Sequence, residues 1–323
     1  MWLLSTDCAE LHYFAGPEAV KEGYAILSHV WDREEQSFQD LQALREQARE
    51  RNVSPRDLAG EKIKSCCELA QKHAYRWVWI DTCCIDKTSS AELSEAINSM
   101  FRYYSLAHVC YAYLKDVYTE NIQDNDDTFL RSSFARSSWH LRGWTLQELL
   151  APRLLVFLSE NWELIGGREA LAPQLEEITR IPAAVLRREQ DLREVSIAQR
   201  MAWASRRQTT REEDRAYSLF GIFDINLPTL YGEGKQAFQR LQEEILRRYP
   251  DTTLFAWGYD SEEVIATNGN HVHFDRSYLF ASSPRDFANS HDIRYSTSNL
   301  LRHIREPAES VSLIFLSFRA RFY

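Results

Sequence analysis

Four short apolar runs dominate the hydrophobic pattern of about the first 160 residues. They occupy residues 24–30, 77–81, 108–114 and 154–158. Each run is continuously apolar rather than alternating, which is typical of strands that are covered on both faces of a sheet. The pattern therefore predicts four buried β-strands.

Helical periodicity lies between these runs. Residues 61–74 and 90–105 place apolar side chains at spacings of three and four, and a shorter helix is predicted over 139–150, ahead of Pro152. Strands that alternate with helices predict a parallel sheet with helices on its faces. We therefore expect an α/β fold for residues 1–160.

The pattern changes beyond this region. The polar stretch 118–133 predicts a mobile loop, and from residue 161 to 257 the chain is mainly helical, followed by an irregular C-terminal extension over 258–323 that resembles no family. We therefore predict three parts with these boundaries. Within the second part, helices are expected near 169–180, 196–206, 211–221 and 234–249.

Charge and composition narrow the possible classes of protein. The formal net charge is -9, which argues against nucleic-acid binding because such proteins present a basic surface to phosphates. No stretch approaches the ~20 apolar residues of a membrane span, and the N-terminus lacks the basic segment of a secretory signal. We therefore expect a cytoplasmic protein with no nucleic-acid partner and no membrane span.

The six cysteines have no metal-binding or redox spacing. Cys66 and Cys67 are adjacent, as are Cys83 and Cys84, whereas zinc knuckles and redox motifs separate their cysteines by two residues. Cys83, Cys84 and His29 could meet in the fold, but nothing in their spacing indicates zinc. We predict buried free thiols and no metal site.

The carboxyl ends of the predicted strands carry the polar and aromatic groups that could bind a ligand. In parallel α/β sheets, ligands bind at these ends, and aromatic walls with a few polar groups are typical of a small-molecule pocket. His29 could instead be a hydrogen-bonded strand-end residue, and Asp81 and Asp86 could be loop caps. The candidate binding residues are Ser28, His29, Trp31, Asp81, Cys83, Asp86, Arg142 and Trp144.

Glu148 is the candidate catalytic residue. It stands four residues after Trp144, so both share one face of the 139–150 helix. A carboxylate beside an indole loses solvation and its pKa rises, which suits a general base or a group that stabilises a cationic transition state in glycosidic cleavage. The alternative is a solvated helix residue, as most glutamates are.

Two further segments leave alternatives open. Residues 232–235, with the sequence Gly-Glu-Gly-Lys, could form an anion-binding nest or simply begin a helix. Residues 211–215 form a dense charge cluster that we interpret as a solvated or ion-paired face.

Several of these segments resemble the fungal heterokaryon-incompatibility (HET) domain. The strongest blocks are AILSHVWD, WVWIDTCCIDK and RGWTLQELLAP, and the likeness extends in order over about residues 20–250, most closely to HET domains at the N-termini of NACHT/WD-repeat incompatibility proteins. The resemblance implies a role in self/non-self recognition and regulated cell death. The blocks lie at 25–32, 61–71, 77–87, 90–104, 142–152 and 196–245.

HET domains are in turn similar to TIR domains, which implies a TIR-like (flavodoxin-like) parallel sheet. Plant-type TIR domains have a serine-containing turn after the first strand and a later pattern S-x-W-C-x-x-E-L, whose glutamate drives cleavage of the nicotinamide–ribose bond of NAD. That glutamate corresponds to Glu148. The chain departs from the pattern in having Thr145 in place of cysteine and a longer spacing from Ser138.

The resemblance implies an NAD nucleosidase that takes NAD as its substrate and becomes a homo-oligomer on activation. Trp31 or Trp144 would stack on nicotinamide or adenine, and His29, Asp81 and Arg142 would contact ribose and phosphates. The alternative is a non-catalytic death-signalling module that acts by homotypic assembly. A third hypothesis is an enzyme that exchanges the base of the same substrate or cyclises it.

Overall fold

One seven-stranded sheet forms the centre of the molecule. The structure is a computed structural model that describes residues 1–118, 127–258 and 279–295. The strand order is β2-β1-β4-β3-β5-β6-β7. The strands are β1 (Trp2–Ser5), β2 (Leu11–Tyr13), β3 (Ala25–His29), β4 (Trp77–Trp79), β5 (Val109–Tyr113), β6 (Leu155–Leu158) and β7 (Leu164–Gly167).

The four predicted strands are confirmed as β3, β4, β5 and β6, which run parallel to one another. All five residues of β3 are buried, as its continuous apolar run requires. The sheet is nevertheless mixed rather than purely parallel, because β1 and β2 add antiparallel strands at one edge and β7 adds one at the other. These three strands are only three or four residues long, too short to show a period in the sequence.

Helices cover the sheet. The predicted helices α3 and α4 are confirmed, and the Ser89 hydroxyl caps α4 by accepting a hydrogen bond from the backbone N–H of Glu92. The helices are α1 (Phe38–Arg51), α2 (Pro55–Leu58), α3 (Glu61–Lys72), α4 (Ser90–Leu106), α5 (Asp127–Arg136), α6 (Thr145–Leu150), α7 (Ala172–Thr179), α8 (Ala183–Leu186), α9 (Ile197–Ala204), α10 (Asp214–Tyr217) and α11 (Gln236–Arg248).

Three expectations about the helices and loops need correction. The loop expected at 118–133 contains the start of α5, and residues 119–126 of that loop lie outside the described part of the chain. The helix expected at 139–150 is divided into a 3-10 turn, Ser138–Leu141, and the six-residue α6. The helix expected at 211–221 is reduced to the single turn α10. Most of the predicted 258–323 extension also lies outside the described residues.

One hydrophobic core connects the sheet with the mainly helical region. Trp139, Phe157, Met201, Leu241 and Phe287 all belong to it and are almost fully buried. The sheet also continues beyond residue 160, since β7 pairs with β6. In the described ranges, no helix has both the length and the apolar character needed to cross a bilayer.

The strand order fixes where a ligand can bind. The chain passes from β3 to β4 on one side and then to β5 on the other side of β3. Strand order therefore reverses between β3 and β5, and in open α/β sheets the crevice at the carboxyl ends of two such strands is the usual ligand site. Ser28 and His29 lie at this end of β3.

Candidate functional site

Glu148 lies buried beside the carboxyl end of β3. Its exposed fraction is 4%, so the alternative of a solvated helix residue is wrong. The Ser28 hydroxyl donates to Glu148 Oε2 at 2.5 Å, and Trp139 Nε1 donates to Ser28 Oγ at 2.8 Å. Because an indole N–H can only donate, the three groups form a directed chain from Trp139 through Ser28 to Glu148.

Burial makes Glu148 a weaker acid than an ordinary glutamate side chain. Loss of solvation raises the pKa of Glu148 to about 8, and the nearby charge of Asp81 adds to the rise, although the Ser28 hydrogen bond and the Arg142 charge oppose it. The raised pKa agrees with the sequence-based expectation, although the indole linked to Glu148 is that of Trp139, through Ser28. At neutral pH the side chain is therefore mainly protonated.

Two buried guanidinium groups hold α6, the short helix that carries Glu148. At its C-terminal end, Arg168 Nη1 donates to the carbonyl oxygens of Leu149 at 2.8 Å and Pro152 at 2.9 Å. At its N-terminal end, Arg207 Nη1 donates to the Arg142 carbonyl at 2.9 Å and to Thr145 Oγ1 at 2.8 Å. Arg168 thus pairs a carbonyl at the C-terminal end of α6 that the helix leaves unpaired, and Arg207 ties the turn before the helix to its first residue.

The segment after α9 also pairs directly with the turn before α6. Gly143 N donates to the Gln208 carbonyl at 2.7 Å, and Gln208 N donates to the Leu141 carbonyl at 2.6 Å. A Cβ added at Gly143 would lie 2.5 Å from Thr209 Cγ2, so this close approach requires glycine. The helical region therefore helps to fix the position of Arg142 and Glu148.

A polar cluster at the same edge of the sheet contains His29, Trp31 and Asp81. Asp81 Oδ1 lies 2.9 Å from His29 Nε2, and Asp81 Oδ2 accepts from Trp31 Nε1 at 2.8 Å. Lys62 Nζ lies 3.2 Å from His29 Nδ1. Because an ammonium group can only donate, His29 Nδ1 accepts from Lys62, and Nε2 carries the hydrogen that Asp81 accepts. The expected hydrogen-bonded strand-end histidine is confirmed.

Two cations lie over the exposed indole of Trp31. Lys87 Nζ is 4.2 Å and Arg142 Cζ is 4.9 Å from the ring centroid, and 39% of Trp31 is exposed. Burial by itself would raise the pKa of Asp81, but the hydrogen bond from His29 and the charges of Lys87 and Arg142 outweigh it and lower that pKa. Asp81 therefore remains ionised and fixes both His29 and Trp31.

Three predicted binding residues lie apart from this cluster. The side chain of Cys83 is fully buried, and burial raises its thiol pKa well above the usual value. Asp86 Oδ1 accepts from Gln39 Nε2 and from Thr88 Oγ1, both at 2.6 Å, so it forms the turn ahead of α4. The Trp144 side chain approaches Asp214, where it opposes the rise that burial gives the pKa of that carboxyl. Trp139, Lys87, Arg168 and Arg207 were missed, because no local pattern distinguishes them.

The glycine-rich segment 232–235 is a nest that the chain fills itself. The backbone N–H groups of Gly232 and Gly234 donate to Glu213 Oε1 at 2.7 and 3.1 Å. Glu213 and Asp214 are each only 8% exposed, so the interpretation of 211–215 as a solvated face is wrong for these two residues. The nest is therefore closed to a free anion.

Five cysteines are buried free thiols, as predicted, and Cys8 is half-buried. Among the residues that the structure describes, no cluster of His, Cys, Asp and Glu could hold a metal.

One cavity of about 230 Å³ adjoins Trp79 and Glu92, and another of about 400 Å³ lies between α4 and residues 221–226. Neither is lined by Glu148 or Trp31.

The buried acid predicts a specific pH dependence of stability. Between pH 4.5, the ordinary pKa of a glutamic acid, and about 8, Glu148 keeps its proton in the folded chain and loses it on unfolding. Its stabilising contribution is complete below pH 4.5 and is lost as pH rises towards 8, by ~1.4 kcal/mol per pH unit. The free energy of urea unfolding of the native chain minus that of Glu148→Gln should fall with this slope from pH 5 to 8, since all other groups contribute equally to both; a difference that does not change with pH would contradict the burial of a neutral acid.

Comparison with known proteins places these residues in a family. Residues 24–129 match the model of the heterokaryon incompatibility protein (HET), and residues 236–312 match a model described as a domain of unknown function (DUF8212). The second match includes part of the extension for which the sequence suggested no family.

A curated relative supports the first match. The chain is 47% identical over 225 residues to vegetative incompatibility protein HET-E-1 of Podospora anserina. The match covers 69% of this chain but 16% of that protein, so the chain spans only a small part of its length. No solved structure matches the chain. The family model, the relative and the sequence blocks agree, and the chain belongs to the heterokaryon-incompatibility (HET) domain proteins.

Proposed function

We propose that this HET-domain protein is a cell-death effector that hydrolyses NAD at the nicotinamide–ribose bond, with Glu148 as the catalytic carboxylate. The observation that carries the proposal is the position of Glu148. It lies beside the switch point of the sheet, within electrostatic reach of Asp81 and Arg142, and these two residues also contact the exposed indole of Trp31.

The biological role is proposed from the relative. HET-E-1 is named as a vegetative incompatibility protein, and its match to this chain extends over 225 residues. We propose that this chain likewise acts in fungal self/non-self recognition, where depletion of NAD would arrest or kill the cell.

A TIR-like fold is supported by topology and by two residues. The parallel strands, numbered in chain order, stand in the order 2-1-3-4, as in flavodoxin-like sheets. The serine after the first parallel strand and the glutamate of the resemblance are Ser28 and Glu148, and a hydrogen bond joins them. The tryptophan of the pattern corresponds to Trp144, which takes no part in that bond, whereas Trp139 donates to Ser28.

The proposed chemistry needs a carboxylate rather than an acid. Nicotinamide carries a positive charge while it is bonded to ribose and leaves as a neutral molecule, so the leaving group needs little protonation. The ribose passes through an oxocarbenium-like transition state. An ionised Glu148 would stabilise that positive charge, and water would attack C1′ to give ADP-ribose and a proton. The cationic nicotinamide ribose would itself lower the pKa of Glu148 on approach.

The resting arrangement is closed to this reaction. Because Glu148 is 4% exposed, substrate reaches it only after its surroundings open. We propose that self-association provides this opening, as the expected homo-oligomer on activation implies. The catalytic form is then an assembled and locally rearranged state of the structure.

The proposal predicts NAD cleavage that depends on protein concentration. Purified full-length protein incubated with NAD should release nicotinamide, with a specific activity that rises as the protein self-associates. Chromatography of the products would separate ADP-ribose from cyclic or base-exchanged products, and light scattering on the same samples would report assembly. Assembly without nicotinamide release at any concentration would contradict the enzyme and favour the alternative function.

The alternative is a non-catalytic death-signalling module that acts by homotypic assembly. The burial of Glu148 favours this alternative. A buried protonated acid that is hydrogen-bonded to Ser28 would also hold α6 against the end of β3. The two functions require different protonation states of the same side chain. A variant that preserves only one of these states therefore separates them.

A further inference from the structure

We propose that Lys87 and Arg142 together bind the diphosphate group of a dinucleotide, with Trp31 as the surface on which its adjoining ring stacks. This inference rests on the proposed function and names the part of the substrate that each group would hold. Lys87 follows β4 and Arg142 precedes α6, so the fold brings together two cations from distant segments.

The first argument is that both cations lie on one exposed ring. Lys87 Nζ and Arg142 Cζ are within 5 Å of the Trp31 centroid. Cation–π contact at an exposed site is weaker than a charge-assisted hydrogen bond to phosphate. A diphosphate can therefore draw both cations from the indole and free the ring for stacking.

The second argument is that these two cations differ from their neighbours in lacking an ion-pair partner. Lys62 pairs with Asp32 and Glu35, and Lys115 also pairs with Asp32. Within the described ranges, neither Lys87 nor Arg142 forms such a pair, and Lys87 Nζ donates to the Thr82 carbonyl at 3.1 Å, a bond that does not neutralise its charge. An acidic protein thus leaves two positive charges available at this edge of its sheet.

The third argument is that the cluster is fixed in place. Asp81 accepts from Trp31 Nε1 at 2.8 Å and is itself fixed by His29. The Arg142 backbone carbonyl accepts from Arg207, and the neighbouring Gly143 pairs with Gln208. A binding surface whose parts are already positioned loses less entropy when the ligand arrives.

The charges favour a diphosphate over other anions. Two cations match the two negative charges of a diphosphate diester, and the Arg142 guanidinium can form two parallel hydrogen bonds to phosphate oxygens. Arg142 also lies close enough to influence the charge of Glu148. A diphosphate at Arg142 would therefore leave the attached ribose near the acid.

Calorimetric titration of the full chain with ADP-ribose tests this inference independently of cleavage. Lys87→Ala and Arg142→Ala should each weaken ADP-ribose binding roughly tenfold or more, and inorganic pyrophosphate should compete with it. Adenosine, which lacks phosphate, should bind these variants as it binds the native chain. The matched control is Lys72→Ala, an exposed lysine at the end of α3, which should leave every affinity unchanged.

The outcomes separate this inference from the proposed function. ADP-ribose binding that depends on Lys87 in a protein that never cleaves NAD would support the diphosphate site and contradict the enzyme. Native affinity for ADP-ribose in Lys87→Ala, or absence of competition by pyrophosphate, would overturn the diphosphate site even if NAD is cleaved. Failure of the native chain to bind ADP-ribose would overturn it as well.

Discussion

Replacing Glu148 with glutamine should reduce nicotinamide release by roughly 10²–10³-fold or more while leaving the protein folded. Glutamine matches the shape of the protonated acid, which is the form that a pKa of about 8 favours at neutral pH. It cannot become a carboxylate, however, so it cannot stabilise an oxocarbenium-like transition state. The measurement is nicotinamide release at saturating NAD, together with urea unfolding of the same samples.

This substitution separates the two proposed functions. A signalling module that uses Glu148 only as a buried neutral link to Ser28 would keep its assembly and cell-killing activity in Glu148→Gln. The matched control is Glu176→Gln on the exposed face of α7, which should change neither property. Undiminished NAD cleavage in Glu148→Gln would exclude Glu148 as the catalytic residue. Alanine is a poorer choice, because it leaves a cavity beside Ser28.

Replacing Arg168 with methionine should lower the free energy of unfolding by about 1–3 kcal/mol, because the Leu149 carbonyl loses its donor while Arg188 still donates to the Pro152 carbonyl. Arg168 is 2% exposed and donates to the carbonyls of Leu149 and Pro152. A buried carbonyl that loses such a hydrogen bond costs about 1–3 kcal/mol, and methionine fills the space without replacing the donor. Arg187→Met, on an exposed position of the same chain, should cost less than about 0.5 kcal/mol.

Urea unfolding of the native chain, Arg168→Met and Arg187→Met at one pH measures these losses. A loss below about 1 kcal/mol would show that α6 keeps its position without this guanidinium. A large loss confined to Arg168→Met would show that the C-terminal end of α6 depends on it. Because Glu148 lies in this helix, the same variant should also weaken any activity that Glu148 supports.

The parallel part of the fold could be predicted because its strands are short, continuous apolar runs. β3 and β5 are buried almost throughout, and α3 and α4 show a clear helical period. The edge strands could not be predicted in this way. β2 and β7 are largely exposed or half-buried and have three or four residues, so their positions depend on pairing with a neighbouring strand rather than on their own pattern.

The site could be predicted only where it follows directly from strand ends. Ser28, His29, Trp31 and Asp81 come just after or at the end of predicted strands, and the structure brings them to one edge. Trp139 and Arg207 could not be found in the same way, since their roles depend on contacts across 111 and 62 residues of chain. Such long-range contacts have no local signature in one sequence.

Pairing of Gln208 with the turn around Gly143 has a consequence for how this protein can be divided. The family match ends at residue 129, before β6, α6 and the residues Trp139, Arg168 and Arg207, which position α6 or Ser28. A fragment cut there would leave the backbone of β5 unpaired along one side, which invites aggregation. The smallest segment that can be transplanted into another protein with Glu148 held in place therefore extends past Gln208, which is 79 residues (208 − 129) beyond the end of the family match.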